Sequence, residues 1–235
     1  MPEPRMPTST EPSAATLYRL LAWLSPSFPI GAFSYSHGLE AAAASGAIHD
    51  RASLESWIAA IVARGSGRID ADILRDAYRA ALAEDAAGLD AANQRGIAYR
   101  ATAELALEAT QQGDAFLNTV RAAWPDAFLD GWLVGEGTCL PAAFGAAAAR
   151  AGIALEDALL GYLQAFTANL MSAGLRLGLI GQTDGQRILA ALEPVVAAAA
   201  QAALTRDLRD FGGATFAVDL ASMAHETQYS RLFRS

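Results

Sequence analysis

The stretch Ile153–Gly181, IALEDALLGYLQAFTANLMSAGLRLGLIG, decides the fold class. Leu155, Leu159, Leu163, Phe166, Leu170 and Met171 recur at three- and four-residue intervals, which aligns them on one helix face until glycines end the pattern. The stretch is the most apolar in the chain, yet it carries Glu156, Asp157, Gln164, Asn169 and Arg176. These make it a buried helix of a soluble protein rather than a membrane span. Asn169 is expected to be a buried amide with a backbone or cross-helix partner.

The same spacing extends in both directions. Leu17, Leu20, Leu21 and Leu24 mark a short helix ending at Pro26, and residues 38–45 a second that stops near Gly46. Leu54, Trp57, Ile58, Ile61 and Val62 form the clearest amphipathic stripe. Helices are expected over 71–83, 92–110 and 115–123, followed by an aromatic, glycine-containing break over 124–137 and a helix over 141–151. Thr183-Asp-Gly-Gln186 reads as a capping box opening a helix to about Leu204, kinked at Pro194. Alanine, the best helix former, supplies about a quarter of the residues, and no run alternates with period two. The expectation is an all-α, single-domain bundle of roughly nine to ten helices over 16–235, after a disordered polar leader at 1–15.

Charge narrows the partners. The net charge is −8, and all seventeen cations are arginine. An acidic chain without a basic patch argues against nucleic acid and anionic membranes. The absence of lysine excludes a Walker phosphate loop, a Schiff-base lysine and a carbamylated-lysine bridge within this chain. Cys139 is the one cysteine, so no intrachain disulfide forms and the cytoplasm is the default compartment.

No catalytic constellation emerges. His37, His49, His225 and Cys139 never fall at helical ligand spacing, so no tight metal site per subunit is expected; a weak site shared between subunits stays open. Ser34 and Ser36 flank His37 too closely in sequence for a serine–base pair. Cys139, at the head of an alanine-rich helix, is expected to be a buried inert thiol.

Two segments stand out as recognition elements. SPSFPIGAFSYSHGL (25–39) leaves the helical pattern at Pro26, Pro29, Gly31 and Gly38, yet keeps Phe28, Ile30, Phe33 and Tyr35. Glu40 follows at once and reads equally as a capping carboxylate or as part of a polar network beside Tyr35 and His37. The tail SMAHETQYSRLFRS (222–235) sets Tyr229, Leu232 and Phe233 among Arg231 and Arg234, the residue types of binding hot spots. It is expected to be mobile in the free protein and to order against a partner.

These segments carry a resemblance. SPSFPIGAFSYSHGLE (25–40), CLPAAFGAAAARAGI (139–153), SAGLRLGLIGQTDGQRIL (172–189) and HETQYSRLFRS (225–235) resemble the urease accessory protein UreF family, in order and spacing. The likeness runs from about Leu17 to the last residue and is weak between Gly65 and Asp130. It implies an all-helical, non-enzymatic factor, dimeric, that bridges UreD (also called UreH) and the GTPase UreG on apo-urease. Nickel would then be handled by the assembled complex, with no cofactor bound tightly by this chain. The partner-binding candidates are Phe33, Tyr35, Ser36, His37 and Glu40 in the loop, and Tyr229, Ser230, Arg231, Leu232 and Phe233 in the tail. Two rivals are a regulator of GTP hydrolysis acting through Arg231 or Arg234, and an all-helical enzyme joining His37 and Glu40 to distant carboxylates.

Overall fold

The computed structural model describes residues 13–133 and 135–235. Among them the chain forms eleven α-helices, two single 3-10 turns and no strand. The helices are α1 (Ala14–Trp23), α2 (Leu39–Ala44), α3 (Arg51–Arg64), α4 (Ser66–Leu82), α5 (Ala86–Ala98), α6 (Ala103–Ala123), α7 (Ala127–Gly131), α8 (Leu140–Arg150), α9 (Leu155–Arg176), α10 (Gln182–Thr205) and α11 (Phe216–Glu226). The leader expected at 1–15 lies outside the described residues except for Ser13–Ala15; there Ser13 Oγ accepts from the Thr16 N–H at 3.2 Å and caps α1.

The core is built around α4 and α8. Every residue of α8 from Pro141 to Ala149 is buried, so this helix has no solvent face and its alanines set how closely its neighbours approach. At Gly145 the Leu74 carbonyl of α4 occupies the space a Cβ would need. Trp23, Phe116 and Phe144 close one end of this core through edge-on and tilted ring contacts.

Buried charge on α4 fastens the neighbouring helices. Arg75 Nη1 donates to the carbonyls of Ala203 (2.6 Å) and Arg206 (3.0 Å), satisfying the negative end of α10. Asp70 receives Arg100 at 2.6 Å and the Tyr162 hydroxyl at 2.8 Å. Burial alone would lower the Arg100 guanidinium, but the Asp70 carboxylate against it raises it above its ordinary value.

Three helix boundaries differ from expectation. The segments 92–110 and 115–123 become α5, ending at Ala98, and one continuous α6. Chain reversal falls at Tyr99–Thr102, where Thr102 Oγ1 caps α6 by accepting from Leu105 at 3.1 Å. Gly113, within the expected gap, is helical, and α6 crosses the Thr138 carbonyl there too closely for any Cβ. The capping box at Thr183 does not form: Gly181 opens α10 before Thr183, and Asp184 pairs instead with Arg187 at 2.9 Å. A box does form at α3, between Asp50 and Ser53. The short α7 interrupts the expected break at 124–137, capped by Asp126.

The stretch that decided the fold class is α9, whose buried side runs from Ala158 to Gly174. The helix of the described residues long and apolar enough to cross a membrane is α10. Its inner row, Ile188, Leu192, Val196, Ala200 and Ala203, is buried in the core.

Candidate docking site

The aromatic loop and the tail meet. Residues 31–38 are held in register by a 3-10 turn at Ala32–Ser34 and by Gly31 and Gly38, both at positive φ. His37 takes φ +57, a conformation rare outside glycine that the surrounding contacts must hold. Against this bend the last residues are laid down by backbone contacts. Arg234 N–H donates to the Ser34 carbonyl at 2.8 Å, and Ser36 donates to the Ser235 carbonyl from its N–H at 2.9 Å and from its hydroxyl.

Glu40 is the clamp. It occupies the first turn of α2, 8% exposed, where the helix dipole favours a carboxylate. Its Oε1 accepts from the Leu232 N–H at 2.7 Å and its Oε2 from the Phe233 N–H at 2.9 Å. His225, fully buried on α11, lies 3.2 Å from Glu40 and 2.7 Å from Glu104 of α6. Glu104 also receives Arg231 at 2.7 Å. The Arg176 guanidinium of α9 sits 4.3 Å from the centre of the Phe233 ring and donates to the Phe33 carbonyl.

A second cluster holds the end of the tail. Glu108, one turn beyond Glu104 on α6, accepts from the Ser235 hydroxyl at 2.7 Å and lies 3.3 Å from His37 Nδ1. His37 Nε2 lies 2.7 Å from Ser66 Oγ. The Tyr35 hydroxyl donates to Gln111 at 2.5 Å. Burial raises the Tyr35 phenol above its ordinary value, against the opposing pull of Arg234.

The ten candidates therefore divide into two groups. Tyr35, Ser36, His37, Glu40 and Phe233 are buried and spend their polar groups and ring faces on contacts within the chain. Phe33 (69% exposed), Tyr229 (fully exposed), Leu232 (64% exposed), Ser230 and Arg231 lie on the surface beside them. The expectation of a tail free of its own domain is corrected: Glu40 satisfies two tail amides and the loop pairs with the tail backbone, which offsets the entropy of ordering it. Glu104, Glu108, Gln111 and Arg176 were not read from the sequence as part of this site. The spacing of Glu104, Glu108 and Gln111 along one face of α6 was the available signal.

Beside the loop is a cleft of ≈ 440 Å³ whose walls include Trp23, Phe28, Phe116, Phe144 and Phe166, with Phe33 also lining it. Asn169 lines this cleft, half-buried, and is not the buried amide expected. Cys139 is buried at the head of α8, its N–H donating to Asn93 Oδ1 at 2.8 Å; burial pushes its thiol up to about 11. The described residues contain no cluster of three or more His, Cys, Asp or Glu arranged to hold a metal.

Among the described residues the fold is all-α, and the loop–tail junction is the place where its two unusual segments meet. Residues 48–193 match the UreF family model. The chain is 49% identical over 231 residues to the urease accessory protein UreF of Granulibacter bethesdensis, covering 97% of this chain and 98% of that one. It is 49% identical over 230 residues to its namesake in Azorhizobium caulinodans (97% and 98% covered), and 46% identical over 224 residues to one in Rhodopseudomonas palustris (94% and 93%). The chain belongs to the UreF family. That membership supports a role in urease maturation.

Proposed function

We propose that the protein is a non-enzymatic maturation factor that bridges UreD (UreH) and the GTPase UreG on apo-urease, so that nickel enters the urease active site. In this reading it works in the cytoplasm as a homodimer, without membrane or nucleic acid, and the assembled complex handles the metal. The observation that carries the reading is the division of the loop–tail junction. Its acid–base groups are paired within the chain, while Phe33, Tyr229 and Leu232 stay exposed around them. Large apolar side chains on a polar-anchored surface suit docking.

The test is co-purification with UreD and UreG of the same organism, followed by urease activation. Phe33→Ala, Tyr229→Ala and Leu232→Ala should each leave helix content unchanged and weaken recruitment about tenfold or more if they are anchors. Full recruitment and full urease activation by the triple variant would refute the assignment of this surface. The exposed Arg234 favours a second reading, regulation of GTP hydrolysis, because its guanidinium pairs with no carboxylate among the described residues and meets Gln111 at 3.2 Å, whereas Arg231 is tied to Glu104. UreG turnover measured with wild-type protein and with Arg234→Ala separates the two: a change that depends on Arg234 supports regulation.

A further inference from the structure

Both ring nitrogens of His225 face carboxylate oxygens: Nδ1 is 2.7 Å from Glu104 and Nε2 is 3.2 Å from Glu40. A neutral imidazole has one N–H and one bare lone pair, and a bare lone pair aimed at a carboxylate oxygen is repulsive. The imidazolium alone donates from both nitrogens. His37 is under no such constraint, because its Nε2 meets the Ser66 hydroxyl, which donates as readily as it accepts.

Charge balance points the same way. Glu40 and Glu104 supply two negative charges to the cluster and Arg231 supplies one positive charge, at 2.7 Å from Glu104. The remaining contacts of the Glu40 carboxylate are two neutral donors, the backbone N–H groups of Leu232 and Phe233. With an imidazolium the four groups sum to zero; with a neutral ring one negative charge stays buried without a counter-charge, beside a side chain that water cannot reach.

We propose that His225 is held as an imidazolium between Glu40 and Glu104, and that this buried cation is a proton switch which fastens the Arg231–Ser235 strap to the loop. Loss of one ring proton as pH rises turns the contact with one carboxylate repulsive. The strap then loosens from Glu40. The charged groups bearing on the ring are Glu40 from α2, Glu104 from α6 and Arg231 from the tail. On α11 itself the charges are Asp219, raised by burial, and the exposed Glu226. The adjoining His37–Glu108 pair holds Ser235. The switch operates in the chain alone, whatever the tail meets afterwards.

The experiment is nitrogen NMR of the histidine rings in the full chain at pH 7. Protons on both nitrogens of His225 are expected; a bare nitrogen, with the proton on Glu40 or Glu104 instead, overturns the proposal. Glu104→Gln removes the need for the second proton, because an amide both donates and accepts. Its His225 should turn neutral at pH 7 with helix content intact, a change that a merely structural role would not produce, and a persistent imidazolium in that variant counts against the switch. In His225→Gln, exchange protection of the Leu232 and Phe233 amides should fall about tenfold or more, as loss of a charge-assisted bond implies. Protection equal to wild type would show that the strap does not depend on this cation.

Discussion

Glu108, in the second turn of α6, and Ser235 meet through the serine hydroxyl at 2.7 Å, joining residues 127 positions apart. The same carboxylate faces His37, so one buried acid fixes both the bend of the loop and the end of the tail. Burial alone would raise the Glu108 carboxyl; His37 and the Ser235 hydroxyl outweigh it and bring the group below its ordinary value.

A folded value below the unfolded one means that Glu108 stabilises the protein above the ordinary glutamate range. That contribution is lost as pH falls through the lowered folded value. Urea midpoints followed from pH 7 downward should therefore fall more steeply in the wild type than in Glu108→Gln below about pH 4. Parallel curves would show that the pair does not couple to folding.

Arg100→Met should be among the most damaging substitutions in the chain. It leaves Asp70 buried with the Tyr162 hydroxyl as its remaining partner, and breaking a buried ion pair from one side costs about 3–5 kcal/mol. Urea denaturation checks this. The double replacement Asp70→Asn with Arg100→Met should recover a large part of the loss, because no buried charge is then unpaired.

Gly145→Ala adds one methyl where the Leu74 carbonyl already stands. Backbone cannot rotate aside as a side chain does, so α4 and α8 must separate, at a cost of about 1–3 kcal/mol or more. Thermal unfolding gives the readout, with Gly131→Ala, where a Cβ meets nothing within 4 Å, as the control that should cost far less.

Cys139 should resist thiol reagents in the folded protein at pH 7 to 8. Its thiol is fully buried and pushed up to about 11, which leaves little thiolate to react. Labelling should appear only as urea unfolds the chain, with the same midpoint as the loss of helix signal. Rapid labelling of native protein would contradict the burial.

Helix existence was legible in the spacing of leucines, because a period near 3.6 is a property of the sequence itself. Helix boundaries were less so. The need for glycine at 113 inside α6 comes from Thr138, whose backbone passes close by, and no local pattern announces that approach. The loop and the tail were each legible as unusual segments, since prolines, glycines and aromatics rarely cluster without a reason. Their meeting was not. Glu40 finds Leu232 across 192 positions of sequence, and pairing at that range is set by how α2, α6 and α11 pack rather than by any motif. Exposure was misread for the same reason: Tyr35 and Phe233 look like partner anchors in a string of letters, but folding turns both inward.

The bond from Ser36 to Ser235 spans 199 residues, which gives this junction a history during synthesis. At about 5–20 residues per second the loop leaves the ribosome roughly 10–40 seconds before the tail that completes it. Through that interval Glu40 lacks its tail amides and Glu108 lacks the Ser235 hydroxyl, so the nascent chain carries an acidic, aromatic notch that the finished protein has filled. Until the tail emerges that notch stays unfilled, and chaperones that shield young chains would meet it open.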